Sequence, residues 1–488
     1  MKSFLPKIKN LLEHNKVLVF FLLLTIILRI PSFFEPYWYG DEGVYLTLGL
    51  AVRRGLVLYR DIHDNKPPLL YWLAALAENL FWFKFLLLTA SLASIALFYK
   101  LSHIIFSQSK KAVLVACSLF TLLTTLPLLE GNIANAENFL ILFTILGFLL
   151  LIFKEKITSG MAVIIGFCFS MAILFKVPAG ADFGAVFFFL LLFQNKNPKK
   201  IIFPLLAGLI IPIFLVTLYY FLRGAFNQFI TAAFLQNIGY LSSWQTGTHA
   251  SKGLPVGLIS RGLLVLGTSG ILFMLRKKLP DYFSFSVLWF AFSMFGTTLS
   301  ARPYSHYLLE IVPSLSLILG FLVIKTKIWE KIIIAGSVLA LIISIAYFRF
   351  WFYSPFSYYQ NFIKFALDQQ TKNQYFGKFN PSVNRNYKVS AYLTDRTKNS
   401  DRIFVWGDEP FIYALSRRLP AGRYTVAYHV IDFRGQTETA LALINQKPKY
   451  IIKIMGEKKQ FAEMEKILSE KYKLITTIDD ANIYLLLN

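Results

Sequence analysis

The sequence predicts an α-helical polytopic membrane protein of about eleven transmembrane helices that ends in a small α/β domain. Three observations lead to this prediction. The 488 residues are 56% hydrophobic and only 16% charged, whereas a soluble globular domain is about 45–50% apolar and about 25% charged. Apolar runs long enough to cross a bilayer recur along the chain. From residue 396 onward the pattern changes to short strands that alternate with amphipathic helices.

The apolar runs define the candidate spans. They lie at approximately residues 17–34, 84–106, 112–128, 138–153, 160–178, 182–193, 201–222, 256–275, 282–299, 306–324 and 331–352. A further apolar run, 67–83, is short and carries Glu78. If this run crossed the membrane, the later basic loops would lie opposite the basic N-terminus. If it does not cross, they share the N-terminal side, at Lys110/Lys111, Lys154/Lys156, Lys196/Lys199/Lys200, Arg276/Lys277/Lys278 and Lys325/Lys327.

The positive-inside rule selects the second arrangement, because cytoplasmic loops are enriched in Lys and Arg. We therefore predict a cytoplasmic N-terminus, an external C-terminus and a long first external loop, residues 35–83, with helices along the membrane surface. The run that follows the basic N-terminus has no small-residue cleavage site after it, which favours an uncleaved first transmembrane helix over a signal peptide.

Charge and cysteine content exclude several classes of protein. The formal charge is +23, from 50 Lys and Arg against 27 Asp and Glu. Cationic cytoplasmic loops account for this excess, and no nucleic-acid reading module is visible. Cys117 and Cys168 both lie in apolar runs, where they are expected to be small buried hydrophobic residues. The sequence contains no disulfide framework and no zinc-ligand spacing.

Three domains are predicted. Residues 1–352 form the transmembrane domain, residues 353–395 a linker with an interfacial helix, and residues 396–488 an extracytoplasmic α/β domain. In the last domain, strands are expected at 402–407, 449–455 and 483–487, with helices at 437–446 and 458–472. Strands separated by helices favour a small, mostly parallel sheet.

The predicted topology gathers charged residues from separate loops at the outer face of the membrane. The first external loop contains the stretch "YGDEGVYLTLGLAVRRGLVLYRDIHDNKPPLLYW". Ionisable groups at a membrane boundary are functional candidates, because they are costly to keep there. The candidates are Asp41, Glu42, Lys66, Lys84, Glu137, Lys176, Arg302 and His306.

Acids and cations at a membrane surface suit the transfer of a sugar from a polyprenyl phosphate. A carboxylate takes the proton of the acceptor hydroxyl, which accelerates such reactions by about 10²–10⁴-fold. Lys and Arg stabilise the charge that grows on the phosphate leaving group. The sequence shows neither a Walker loop nor a Gly-rich nucleotide fingerprint, and an external site has no ready supply of nucleotide sugars.

The first external loop closely resembles that of the GT-C-type membrane glycosyltransferases, in particular the group of aminoarabinose transferase and protein O-mannosyltransferase (glycosyltransferase family 39). The matching residues, in order, are Asp41, Glu42, Tyr45, Lys66, Pro67 and Pro68. The resemblance implies that Asp41 is the catalytic carboxylate and that Lys66 binds the donor phosphate. It covers approximately residues 15–350.

Weaker matches extend the resemblance. Glu137 stands where the family usually has a second acidic residue, an Asp, and Lys84 where it often has Arg. The stretch "ARPYSHYLLEIVP" is similar to a later segment near the donor, which implies donor-phosphate roles for Arg302 and His306. Lys176, at the end of a predicted span, is a further candidate for the phosphate.

Each residue also has a structural interpretation. Asp41 and Glu42 could cap a helix N-terminus. Lys66, Lys84 and Lys176 could reach lipid headgroups, and Arg302 and His306 could anchor there. Asp61, His63 and Asp64 could bind a metal, although a solvated turn is the preferred interpretation. Glu130 is expected to be exposed, and Glu137 could be an ordinary loop-terminal acid.

The predicted activity is transfer of a sugar from a polyprenyl-phosphate donor to an acceptor hydroxyl outside the cytoplasmic membrane. The expected partners are this donor, membrane lipids and a glycan, lipid or protein acceptor, with no nucleic acid. No cofactor is firmly expected, although a divalent cation is possible. The alternative is a transporter or flippase of lipid-linked glycans, which would favour Gly- or Pro-broken helices in two matching halves. A third interpretation, a structural membrane protein, leaves the loop acids unexplained.

Overall fold

The computed structural model describes residues 16–153, 157–193, 199–237 and 256–487. It divides into two compact units. The helical unit consists of Met1–Ile30, Leu86–Val216 and Gln236–Pro355. The mixed unit consists of Pro31–Phe85, Thr217–Leu235 and Phe356–Asn488, and therefore contains both the predicted first external loop and the C-terminal domain.

The described part of the chain is mostly helical. Its first helices are α1 Lys16–Arg29, α2 Gly40–Arg53, α3 Leu69–Ala77, α4 Leu80–Ile105, α5 Lys110–Thr125, α6 Ala136–Phe153, α7 Ser159–Phe175, α8 Gly180–Phe193, α9 Lys199–Leu222, α10 Phe226–Ile230, α11 Val256–Leu275, α12 Asp281–Thr298, α13 Val312–Gly320 and α14 Ile328–Phe348. The later ones are α15 Pro355–Ala366, α16 Lys372–Gly377, α17 Ser382–Arg396, α18 Phe411–Ser416, α19 Ala427–Asp432, α20 Gln436–Gln446 and α21 Ala462–Lys471.

The apolar helices fit a membrane protein. Within the described ranges, six helices are long and apolar enough to cross a bilayer: Lys16–Phe34, Leu80–Ile105, Ala136–Phe153, Lys200–Leu222, Gly257–Leu275 and Ile328–Phe348. Much of the surface of α9 and α14 is apolar and exposed, for example at Phe214, Leu222 and Ile342. Such surfaces suit contact with lipid. Every predicted span contains a helix, although several helices are shorter than a full span, among them α7, α8 and the nine-residue α13.

The ambiguous run 67–83 is not a single helix. α3 has nine residues, which correspond to a rise of about 13 Å, less than half of the roughly 30 Å bilayer core. It ends at Glu78, whose φ of 68° breaks the helix. α4 begins two residues later at Leu80. The run is thus too short to span as one element. The basic residues Lys154, Lys156 and Lys196, part of the positive-inside argument, lie outside the described residues.

The C-terminal domain contains a five-stranded sheet in the order β2-β1-β3-β5-β4. Its strands are β1 Arg402–Trp406, β2 Leu419–Pro420, β3 Tyr450–Ile454, β4 Tyr472–Ile478 and β5 Ala481–Leu486. β1 is parallel to both β2 and β3, whereas β5 is antiparallel to β3 and to β4. The prediction of a mostly parallel sheet was therefore wrong for the last two strands. They form a hairpin, whose turn is helped by the positive φ of 51° at Asp479.

Both faces of the sheet are covered. Along β1, Phe404 and Trp406 enter one core, while Ile403 and Val405 enter the other, as expected for alternating side chains of a strand buried on both faces. The second core also contains Val389 and Leu393 of α17. This amphipathic helix, which lies within the predicted linker, thus packs against the sheet.

Close contacts hold α2 against both α3 and the C-terminal domain. A Cβ on Gly43 of α2 would lie 2.7 Å from the ring of Phe411 in α18, and one on Gly49 would lie 2.7 Å from the backbone of α3 at Ala74. The hydroxyl of Thr47 donates to the carbonyl of Pro410 at 3.1 Å. α2 is therefore held firmly between α3 and the C-terminal domain.

Candidate active site

The acidic pair "DE" lies in the first turn of α2, but its two carboxylates have different surroundings. The side chain of Asp41 is 33% exposed, whereas that of Glu42 is 3% exposed. Acids suit the first helical turn because of the helix dipole. Only Asp41, however, presents its carboxylate to solvent, where a substrate could reach it.

Asp41 belongs to a cluster with Tyr45 and Lys66. The Tyr45 hydroxyl donates to Oδ2 of Asp41 at 2.8 Å, and Nζ of Lys66 lies 3.3 Å from the same oxygen. The Lys66 ammonium also lies 4.8 Å from the centre of the Tyr45 ring, in the range of a cation–π contact. The lysine side chain is 23% exposed. A carboxylate and an amine are thus adjacent at a partly open position.

The backbone of Lys66 is held on both sides by buried tyrosines. The hydroxyl of Tyr59 donates to the Lys66 carbonyl at 2.9 Å, and the Lys66 N–H donates to the Tyr71 hydroxyl at 3.1 Å. Pro67 further restricts the lysine's backbone. The backbone of Lys66 is therefore held in place, and its side chain extends from a defined position.

Lys84 lies in a different, fully buried network. Its Nζ is 2.7 Å from Glu42 Oε1 and 3.1 Å from Glu35 Oε2. Glu35 also accepts hydrogen bonds from the hydroxyl of Tyr358 and from Nε1 of Trp38. The sequence analysis missed Glu35, which follows the first apolar run. Two carboxylates surround the single ammonium, so this arrangement suits a structural role for Lys84 better than phosphate binding.

The segment after Arg60 corrects another expectation. Asp61 lies in a partly exposed turn and pairs with Arg60 at 2.8 Å, which lowers the pKa of its carboxyl. His63 and Asp64, in contrast, are buried. The interpretation of all three as a solvated turn was therefore wrong, because the C-terminal domain covers the last two. His429 of α19 places its Nε2 3.7 Å from Asp64 Oδ1.

In the helical unit, a second charged cluster brings together three predicted candidates. Lys176 pairs with Glu137. Nδ1 of His306 lies 2.7 Å from Glu130 Oε2, and its Nε2 lies 3.9 Å from Glu137 Oε1. The Lys176 ammonium also lies 3.5 Å from the centre of the Tyr307 ring.

Glu130 is buried in this cluster, so its expected exposure was wrong. It also accepts hydrogen bonds from Ser305 at 2.9 Å and Asn135 at 3.1 Å. Its backbone has a left-handed φ of 58°, which directs the chain from α5 toward α6. Arg302 lies at intermediate exposure on the short loop before His306.

Two further buried acids of the helical unit were not singled out from the sequence. Asp182 of α8 accepts a hydrogen bond of 2.8 Å from Ser293 of α12. Glu310 follows the His306 segment and is also buried. Among the described residues, no group of three or more His, Cys, Asp or Glu side chains is arranged to hold a metal ion.

The chain has the polytopic membrane GT-C fold, mostly helical with a small C-terminal sheet. The chain is similar to the crystal structure of ArnT from Cupriavidus metallidurans bound to undecaprenyl phosphate, with a TM-score of 0.58 over 96% of this chain and 97% of that chain. The two sequences are 10% identical. The predicted fold class is thus confirmed.

Two sequence comparisons add to this structural one. Residues 383–486 match the family described as the putative competence-induced protein Ccs4 C-terminal domain. An uncharacterized protein of Aquifex aeolicus (strain VF5) is 28% identical over 375 residues, which cover 72% of this chain and 82% of that protein. The Ccs4 match begins within α17, the helix that packs against the sheet.

Proposed function

We propose that the protein transfers a sugar from a polyprenyl-phosphate donor to an acceptor hydroxyl on the outer side of the cytoplasmic membrane. The observation that carries this proposal is the partly open pair of Asp41 and Lys66, with 3.3 Å between carboxylate and amine. Such a pair supplies a base for the acceptor and a cation for the phosphate. The likeness in fold to ArnT, which was solved with undecaprenyl phosphate, supports a lipid phosphate as the carrier.

The reaction needs no reactant besides the donor and the acceptor. The acceptor oxygen forms a bond to the anomeric carbon of the sugar while its proton passes to Asp41. The bond from the anomeric carbon to the phosphate oxygen breaks, and its electron pair stays on the polyprenyl phosphate. Lys66 stabilises the added negative charge, so the leaving group does not need a proton.

Asp41 is better placed than Glu42 to act as the general base. Glu42 is buried and forms an ion pair with Lys84, and a buried paired carboxylate has little access to a substrate proton. Asp41 accepts a hydrogen bond from Tyr45 and remains partly exposed. In this proposal the ion pair of Lys84 with Glu42 stabilises the N-terminal turn of α2. Asp41 acts as the general base.

Lys176, Arg302 and His306 are proposed as donor-phosphate ligands, and Glu137 as a second acid. Lys176 and His306 already contact carboxylates within their own unit. Donor titrations of Lys176→Ala and Arg302→Ala test these roles separately from that of Lys66. An unchanged donor affinity in both variants would assign their charges to the structure of the helical unit.

The test of the proposed function is mass spectrometry of surface glycans and glycolipids in a deletion strain. We expect one sugar modification to disappear, to return with the wild-type gene and to stay absent with Asp41→Asn. Asp395→Asn, which alters an exposed aspartate of α17, is the matched control and should restore the modification. Full restoration by Asp41→Asn would contradict the role of Asp41 as the base.

A further inference from the structure

The C-terminal domain contributes a buried histidine, His429, to the surroundings of Lys66. His429 is 3% exposed. Its ring lies 5.3 Å from that of Phe433 and 6.2 Å from that of His63, and its Nε2 faces Asp64 at 3.7 Å. The proposed reaction gives this histidine no role.

Asp64 connects His429 to the backbone of Lys66. The Asp64 carboxylate accepts a hydrogen bond of 2.7 Å from the N–H of Asn65 and interacts with the hydroxyl of Tyr71. That same hydroxyl accepts the N–H of Lys66 at 3.1 Å. Asp64 and Tyr71 are both almost fully buried. Buried contacts therefore lead from the C-terminal domain to the peptide that carries the proposed phosphate ligand, beginning with the 3.7 Å approach of His429 to Asp64.

Two hydrogen bonds to backbone carbonyls fix the domain beside this path. The N–H of His63 donates to the carbonyl of Arg423 at 2.9 Å. The guanidinium of Arg423 donates in turn to the carbonyl of Tyr59 at 3.3 Å. Since Tyr59 also binds the Lys66 carbonyl, the C-terminal domain reaches both sides of the lysine's peptide.

We propose that His429 is a positioning residue of the donor site: acting through Asp64 and Tyr71, it holds the peptide of Lys66 so that the C-terminal domain sets the affinity for the lipid phosphate. This inference rests on the proposed function, because it assumes that Lys66 binds the phosphate. It assigns the C-terminal domain to the donor side of the reaction.

The test is a double-mutant cycle on the full-length protein in lipid nanodiscs, with undecaprenyl phosphate as the probe. We expect Lys66→Ala to weaken binding at least about 10-fold and His429→Ala to weaken it about 3- to 10-fold. In the Lys66→Ala background, the added effect of His429→Ala should fall below about 2-fold, because the histidine acts through the lysine. The control His103→Gln changes an exposed histidine of α4 and should bind like wild type.

A merely structural role for His429 would give a different result. General loosening of the domain would weaken binding by the same factor in both backgrounds, and that result would overturn the inference. Wild-type affinity of His429→Ala would overturn it as well. If His429→Ala does not fold, His429→Gln replaces it in the same cycle and is judged by the same coupling.

The same measurements separate the inference from the function on which it rests. If wild-type protein does not bind undecaprenyl phosphate, the proposed donor is wrong and the inference falls with it. If wild type binds and Lys66→Ala weakens binding while the His429 variants do not, the proposed function stands and only the inference fails.

Discussion

The hydroxyl of Tyr45 donates a hydrogen bond of 2.8 Å to Oδ2 of Asp41, one helical turn earlier on α2. The same oxygen faces the Lys66 ammonium at 3.3 Å. The carboxylate is therefore oriented by a neighbour on its own helix and by a cation from a later part of the loop. Mutation of each of the three side chains therefore tests a different contact of this arrangement.

The first prediction concerns the base. Asp41→Asn keeps the size of the side chain but removes its basicity, so we expect sugar transfer by the purified protein to fall by at least about 10²-fold. Tyr45→Phe removes only the orienting hydrogen bond and should cost less than about 10-fold. Initial rates at saturating donor measure both effects. Near-normal turnover in well-folded Asp41→Asn protein would shift the role of base to Glu137.

The second prediction concerns the charge at Lys66. Lys66→Ala should raise the KM for the donor and lower kcat, whereas Lys66→Arg should recover part of the loss, because it keeps the charge but not the shape. Lys398→Ala, which changes an exposed lysine of the C-terminal domain, is the control. Equal kinetics of Lys66→Ala and wild type would leave the lysine as a surface anchor only.

The third prediction separates Lys84 from Lys66. Lys84→Met leaves Glu35 and Glu42 buried without their cation, which should destabilise the protein by about 3–5 kcal/mol. Adding Glu35→Gln and Glu42→Gln should recover much of this loss, since neutral amides need no counter-ion. Thermal unfolding in detergent measures the series. Wild-type stability of Lys84→Met with lost donor binding would instead support a phosphate ligand.

The fourth prediction concerns pH. Burial lowers the pKa of His429 below its ordinary value of about 6.5, although Asp64 and the more distant Asp41 and Asp432 raise it; Lys66 adds to the lowering. The unfolded chain therefore binds a proton at higher pH than the folded protein does. Stability should fall as pH decreases from about 6.5 toward the folded pKa.

The comparison of wild type with His429→Gln isolates this effect from that of the carboxylates. Between pH 7.5 and pH 5.5, the melting temperature of wild type should fall more than that of the variant. Parallel curves for the two proteins would show that His429 does not contribute to the pH dependence.

The fifth prediction concerns topology. A cysteine at exposed Lys398 should react with an impermeant external reagent in intact cells, while one at exposed Gln108, between α4 and α5, should not. Cys117 and Cys168 are both buried, and replacing them with Ser removes any background. Labelling at Gln108 would reverse the assigned orientation.

The sequence was most informative where composition and spacing determine structure. Apolar runs located the membrane helices, and the family resemblance of one loop singled out Asp41 and Lys66, whose carboxylate and ammonium lie 3.3 Å apart in the structure. Short, nearly continuous apolar runs located β1 and β3, which are buried on both faces. The exposed strand β4 was missed, because its pattern includes polar residues and lacks a continuous apolar run.

What the sequence could not show depends on long-range packing. Glu42 rather than Asp41 is buried because its carboxylate pairs with the buried ammonium of Lys84, some 40 residues later. His63 and Asp64 lie in a polar stretch typical of a turn, but the C-terminal domain packs against them through Tyr424, His429 and Phe433. Glu130 has a local sequence like that of an exposed loop, but His306 and Ser305 enclose it. No local periodicity encodes such partners.

The hydrogen bond from Thr47 to Pro410 has a consequence for biosynthesis, since its ends are 363 residues apart. At a synthesis rate of about 5–20 residues per second, roughly 20–70 s pass between the synthesis of the loop that carries Asp41 and that of the domain that packs against it. During that interval Gly43 and Thr47 lack their final neighbours, Phe411 and Pro410. A chain that is shortened at its C-terminus therefore reaches the membrane with its acidic loop uncovered, where quality-control proteases can recognise it.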